Sequence, residues 1–255
     1  MLARSWLMDL DGVVYRGSQP VRGAAEFIRW LIETNQPFLF LTNHAARTPE
    51  SFAQKLQGMG IPAEPRHILS SAMVTAMFLQ RERPGKTVFL IGEEGLRHAL
   101  AGAGVQIVEH QPDLVVVGLD RGIHYDLLVR ASRFILGGAE FIGTNGDGSY
   151  PLEDGPAPEC GALLAAIQAA TGKTPLVMGK PERFMYEEGL RTLGATKEHA
   201  IMVGDRLDTD IAGAKRLGIR SVLVLSGATS RSEADASPTK PDVIVPDLAA
   251  CRDSH

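Results

Sequence analysis

The pattern that most limits the fold of this chain is a series of short apolar runs, each followed by a turn and then a helix-like stretch. Ser5–Leu10, Pro37–Asn43, His199–Asp205, Ser221–Leu225 and Asp242–Pro246 are such runs. Their apolar residues are consecutive rather than alternating, so a strand built from one of them has no face suited to water. Parallel sheets covered by helices on both faces satisfy that demand. The helices are legible too. Phe27, Trp30 and Leu31 recur at three-and-four spacing across Ala24–Glu33. A second helix begins near Pro49 and stops near Gly58 and Gly60, and a third runs over Asp208–Leu217 with Gly218 closing it.

The middle of the chain has the same rhythm on its own account. Lys86–Gly92, Leu114–Asp120 and Ala139–Asn145 read as strands with helices between them, and the polar stretches Gln80–Lys86 and Thr171–Pro175 read as connectors. The fold class expected is therefore α/β: a Rossmann-like parallel sheet core over residues 1–79 and 176–255, plus an inserted α/β domain over 80–175. With 255 residues, 44% of them apolar, the chain can bury a core in each part. "EEGLR" occurs at Glu93 and at Glu187, but without a fixed period, so it marks two similar helix starts rather than a repeat.

Charge and cysteine usage exclude several roles. A net charge of -4 with mixed signs offers no basic stripe for a nucleic-acid polymer. Cys160 and Cys251 lie too far apart for ligand-like spacing, which argues against a zinc site or disulfide framework and fits a reducing compartment. The start has no signal-peptide run, and no stretch approaches the roughly 20 apolar residues of a spanning helix. A soluble, cytoplasmic protein with no membrane partner is expected, and a homodimer is left open.

Ligands of open α/β sheets bind beyond the carboxyl ends of the strands. Four expected strand ends carry polar groups: Asp9 and Asp11, Thr42 and Asn43, Lys180 after "PLVMG", and Asp205 after "AIMVG". Each alone also fits a turn, a cap or a solvated charge; together they compose one site. Carboxylates about 4 Å apart repel by roughly 1 kcal/mol in water and roughly 4 kcal/mol at an effective dielectric of 20, so gathering Asp9, Asp11 and Asp205 calls for a cation. Oxygen-only ligands beside a phosphate suit Mg²⁺. Lys180 adds a second positive charge and Thr42 adds a donor for phosphate oxygens, which is the inventory of phosphoryl transfer. Two other motifs fail. "TGKT" (Thr171–Thr174) would put the first glycine of a P-loop on Ile167, so Gly172 reads as a helix C-cap. Asp9 and Asp11 open like a calcium loop, but its sixth and twelfth positions would be Val14 and Pro20.

"DLDGV", "LTN", "GKP" and "GDRLDTDI", in this order and spacing, resemble the four motifs of the haloacid dehalogenase superfamily of Mg²⁺-dependent phosphatases, across essentially the whole chain. The insertion, with "VVVGLDRGIHY", "GAEFIGTNGD" and "ECGALLAAIQAATG", looks like the large α/β cap of the branch containing ribonucleotide monophosphatases and nitrophenyl, phosphoglycolate and pyridoxal phosphatases. The resemblance implies that Asp9 is the nucleophile and that Asp11 is the general acid and base. It implies that Mg²⁺ is held by the side chains of Asp9 and Asp205 and the carbonyl of Asp11. Thr42, Asn43 and Lys180 would hold the phosphoryl group, Asp210 would orient Lys180 or a metal-bound water, and Asp208 would cap a helix. Tyr150, in the Gly-rich loop Asn145–Gly155, stands where relatives contact substrate, and an ordinary loop tyrosine fits equally. His44 follows "LTN" where Asn or Ser is usual, and is counted among the substrate-binding candidates. The reaction implied is hydrolysis of a small phosphomonoester, a nucleoside monophosphate or related metabolite. A phosphomutase and a receiver-like phospho-acceptor module remain alternatives.

Overall fold

The apolar runs pair into parallel sheets in a computed structural model that describes residues 4–152 and 155–253. The chain divides into two units. The first takes in the chain up to Thr42, Pro49–Leu69 and the chain from Lys180 onward; the second is Asn43–Thr48 with Ser70–Gly179.

The first unit opens with β1 (Ser5–Met8), the short hairpin β2 (Tyr15–Arg16) and β3 (Gln19–Pro20), α1 (Ala24–Glu33), β4 (Phe38–Thr42), α2 (Pro49–Gly58) and β5 (Ile68–Ser70). Every residue of β1 and β4 is buried, as their consecutive apolar residues demand, and Ser5 and Thr42 at their ends are buried with them. β1 ends at Met8, short of Leu10, because Leu10 turns the chain: its carbonyl accepts the N–H groups of Val14 (2.9 Å) and Tyr15 (3.2 Å). Helix α1 buries Ala24, Phe27, Ile28 and Leu31 on one stripe. Phe27 meets Trp6 edge-on at 5.1 Å, and the Trp6 indole N–H donates to Gln36 Oε1 at 2.8 Å.

The second unit contains α3 (Ser71–Glu82), β6 (Val88–Ile91), α4 (Glu94–Gly102), β7 (Leu114–Val117), α5 (Tyr125–Leu136), β8 (Glu140–Gly143), the hairpin β9 (Ser149–Leu152) and β10 (Gly155–Pro158), α6 (Cys160–Thr171) and β11 (Leu176–Val177). Its parallel sheet has the order β11-β8-β7-β6. Three expectations need correction here. Helix α3 belongs to this unit, which resumes at Ser70 rather than at residue 80. The "PLVMG" run does not join the first sheet: β11 pairs with β8, and the bonds continue from Met178 N–H to the Gly143 carbonyl (3.0 Å). Tyr150 lies not in an irregular loop but on β9, opposite Ala157. Gly172, with φ of 67°, caps α6 as its position suggests.

The chain returns to the first unit with α7 (Arg183–Leu193), β12 (Ala200–Gly204), α8 (Ala212–Leu217), β13 (Arg220–Val224), α9 (Arg231–Ala236) and β14 (Val243–Val245). The six strands lie in the order β14-β13-β12-β1-β4-β5. From β1 the chain moves outward to β4 and β5, and after the insertion it moves the other way through β12. The direction of winding therefore reverses beside β1, the position where open sheets leave a crevice at the strand ends. The helix expected over Asp208–Leu217 is two pieces: a π-helical turn, Leu207–Ile211, and then α8. Among the described residues no helix is long and apolar enough to cross a membrane.

Phe40, fully buried at the centre of β4, tests the core: Phe40→Ala should cost about 3–5 kcal/mol in urea denaturation, from lost transfer energy plus the cavity left behind.

Candidate active site

Four side chains converge beyond the carboxyl ends of β1 and β12. The Asp9 N–H donates to the Val203 carbonyl at 2.9 Å, extending the ladder by one residue and placing the Asp9 side chain beside the end of β12. Lys180 opens the returning segment. Its ammonium is 4% exposed and donates to Asp9 Oδ1 at 2.6 Å and to Asp210 Oδ1 at 2.7 Å. Asp210, fully buried, spends its other oxygen on the N–H groups of Asp205 (3.2 Å) and Arg206 (3.1 Å). A carboxylate folded back onto the preceding backbone competes with regular helix bonds, which accounts for the π-helical turn between Leu207 and Ile211. The buried Tyr186 hydroxyl holds the same turn through the carbonyls of Thr209 (2.9 Å) and Asp210 (3.2 Å).

Asp205 is held by a loop that the sequence patterns did not single out, Ser226–Thr229 after β13. The Ala228 N–H donates to Asp205 Oδ2 at 2.6 Å, and Ser226 Oγ donates to the Gly12 carbonyl at 2.8 Å. Arg16 Nη2 ties the loop to the β2 hairpin through the Gly227 carbonyl at 2.7 Å. Gly12, at φ 80°, and Gly227 approach so closely that an added Cβ would stand 2.2 and 2.0 Å from Asp205 Oδ2. The polar-small sequence after the "SVLVL" strand was the available signal, but its contribution is made by backbone groups.

The electrostatics call for a cation. Asp9, Asp205 and Asp210 each offer a carboxylate oxygen, all within 4.8 Å of one another. Burial pushes the Asp9 carboxyl well above its ordinary value despite the pull of Lys180, and Asp210 and Asp205 push it further. Burial, then Asp210, raises Asp205 to about 6. Burial alone would lower Lys180, yet Asp210 and Asp9 together hold it above its ordinary value. Asp205 Oδ1 is buried and accepts no hydrogen bond among the described residues. An orphaned carboxylate oxygen of this kind costs about 1–3 kcal/mol or more, and a hard divalent cation bound by oxygen ligands removes that cost. The residues present fit such an ion.

Known proteins resemble this chain over nearly its whole length. Residues 6–106 match the model of the haloacid dehalogenase-like hydrolases, and residues 177–251 match a second model, of HAD-hydrolase-like proteins. An acid sugar phosphatase of Staphylococcus saprophyticus is 37% identical over 96% of this chain and 95% of its own. The chain belongs to the haloacid dehalogenase-like hydrolases. It is a phosphatase. The 5'-nucleotidase YutF of Bacillus subtilis is 37% identical over 93% of each chain. The solved structure of a p-nitrophenyl phosphatase from Archaeoglobus fulgidus superposes with a TM-score of 0.94 at 33% identity, covering 99% of both chains.

The remaining candidate residues of this hydrolase are placed as follows. Thr42 is the buried last residue of β4. Asp11 is exposed, and its Oδ2 accepts a hydrogen bond from the Tyr15 hydroxyl at 3.1 Å; the carboxylate cluster contains Asp210 instead. Asp208 is not a helix cap: it lies inside the π-helical turn, exposed, and accepts two bonds from Arg206. Asn43, His44 and Tyr150 all belong to the second unit. The Asn43 side-chain amide donates to Asp147 Oδ2 at 2.8 Å, while the Asn43 backbone carbonyl accepts from Ser71 Oγ (2.6 Å) and Asn145 Nδ2 (2.9 Å). His44 is half-buried and lowers Glu93 electrostatically, behind the larger effect of Arg121.

Glu159 was not anticipated. It is 4% exposed, accepts the Cys160 N–H at 2.9 Å and Asn145 Nδ2 at 3.3 Å, and burial raises it to about 7. A carboxyl raised above its ordinary 4.5 binds more protons folded than unfolded, so its stabilisation is present at low pH and is lost as pH rises from about 4.5 to 7. The loss is on the order of 3 kcal/mol. Urea denaturation of wild type and Glu159→Gln at pH 5 and pH 7.5 should show a smaller pH decline in the variant.

Proposed function

We propose that this phosphatase is a Mg²⁺-dependent hydrolase of small phosphomonoesters that works through a phosphoryl group carried on Asp9. The observation that carries this reading is Lys180 buried between Asp9 and Asp210, beside an Asp205 oxygen with no donor among the described residues. A hydrolase that keeps a buried ammonium against a carboxylate has both a nucleophile and a charge for the anion it attacks.

Asp9 and Asp205 would hold the ion, with the Asp11 carbonyl. Bound there, Mg²⁺ supplies positive charge that keeps Asp9 ionised and offsets the charge of the phosphoryl oxygens. In the first step an Asp9 carboxylate oxygen attacks phosphorus, the ester P–O bond breaks, and Asp11 gives its proton to the leaving oxygen. In the second, water attacks the same phosphorus, Asp11 takes a proton from it, the bond to Asp9 breaks and inorganic phosphate departs. Lys180 and Thr42 hold the phosphoryl oxygens, and Asp210 positions Lys180. The substrate class follows the names of the relatives: sugar phosphates, nucleoside monophosphates and aryl phosphates. Asn43, His44 and Tyr150 are candidates for contacts to the rest of the substrate.

Phosphate release from 4-nitrophenyl phosphate and a metabolite panel tests this reading. Activity should vanish with EDTA, return with Mg²⁺, and fall roughly a thousandfold or more in Asp9→Asn. Turnover that survives EDTA, or that survives in Asp9→Asn, would overturn it.

A further inference from the structure

The turn after β1 places a buried phenol against an exposed carboxyl. The Tyr15 ring is 1% exposed and packs in the core with Val13, Val14 and Phe52, while Asp11 faces solvent. Their backbones are neighbours across an isolated β-bridge, and the Gly12 N–H donates to the Tyr15 carbonyl at 2.8 Å. The Tyr15 hydroxyl donates to Asp11 Oδ2 at 3.1 Å. On the other side Lys55 of α2 sits with its ammonium 3.6 Å from the ring centroid. One end of the pair is therefore fixed by the core, and the other is a short side chain at the exposed edge of the turn.

We propose that Tyr15 is a positioning residue for Asp11, holding its carboxyl in the orientation from which it serves the leaving oxygen. The proposal rests on the role given to Asp11 above. An exposed aspartate samples several staggered rotamers, and proton transfer needs it within hydrogen-bond reach of one oxygen. A donor anchored in the core selects one of those rotamers in advance, so the ordering is complete before substrate arrives. The Lys55 ammonium over the ring face draws electron density from it and strengthens the O–H as a donor. A purely structural account is that the bond satisfies the tyrosine, since a buried hydroxyl needs a partner. The two accounts separate in Tyr15→Phe, which keeps the ring, its packing and the cation over it.

Leaving-group dependence is the readout. Nitrophenolate departs without a proton, whereas an alkoxide needs one from Asp11. With a sugar phosphate that wild type hydrolyses, Tyr15→Phe should lower kcat roughly tenfold at unchanged KM, the loss of the one hydrogen bond that orients Asp11. With 4-nitrophenyl phosphate the loss should stay below about threefold, and the thermal midpoint should stay within about 4 °C of wild type. Asp11→Asn should show the same preference more strongly. If Asp11→Asn discriminates between the esters and Tyr15→Phe does not, whether through no loss or an equal loss on both, the role of Tyr15 is overturned and that of Asp11 stands. If Asp11→Asn does not discriminate either, the assignment of Asp11 fails and takes this proposal with it.

Discussion

An ammonium group buried to 4% exposure must find counter-charges, and Lys180 finds two, Asp9 at 2.6 Å and Asp210 at 2.7 Å. Removing a charge from water costs several kcal/mol even after relaxation, so a buried lysine persists only where its partners are fixed. Much of the local architecture follows from fixing them. Asp210 is immobilised by two backbone N–H groups, and the turn that carries it is pinned by Tyr186. Asp9 is set by the last hydrogen bond of the sheet, between β1 and β12. One positive charge then faces three carboxylates, and the excess negative charge is what suits the site to a divalent cation.

Five of the six strands of the first unit, all but β5, were legible because their apolar residues are consecutive, and such runs have few alternatives to a covered parallel sheet. Helix α1 was legible to the residue for the same reason, a stripe of apolar side chains at helical spacing. What was not legible has particular causes. "PLVMG" is a short apolar run with nothing in it to say which sheet it joins, and its pairing with β8 is a tertiary outcome. The split of the helix after Asp205 comes from Asp210 bonding to backbone behind it, a competition that helical periodicity does not register. The β9–β10 hairpin was not legible because the glycine-rich stretch that contains it reads equally well as a loop.

Of the residues singled out from sequence, the structure brings together four with charged side chains: Asp9, Lys180, Asp205 and Asp210. Those missed act through backbone atoms or through packing. The Ala228 N–H and the missing Cβ atoms of Gly12 and Gly227 shape the surroundings of Asp205 as firmly as any side chain does, yet none of these residue types announces chemistry. Glu159 was missed for a different reason. A glutamate before a helix is ordinarily a solvated cap, and only its burial among Asn145 and Cys160 makes it otherwise.

The bonds that hold the carboxylates are distinct from those that would hold an ion. Asp205 Oδ2 takes the Ala228 N–H while Oδ1 takes none among the described residues, and both oxygens of Asp210 are committed to Lys180 and to backbone. An Asp205 anchored through one oxygen keeps the other fixed in place, so the site need not reorganise when charge arrives. Electrostatic stabilisation of phosphoryl transfer depends on that property, because dipoles and charges that must turn toward a transition state lose much of what they contribute. Holding like charges together in a buried site is unfavourable to folding, and the fully buried strands β1, β4 and β12 around it supply stability that offsets it.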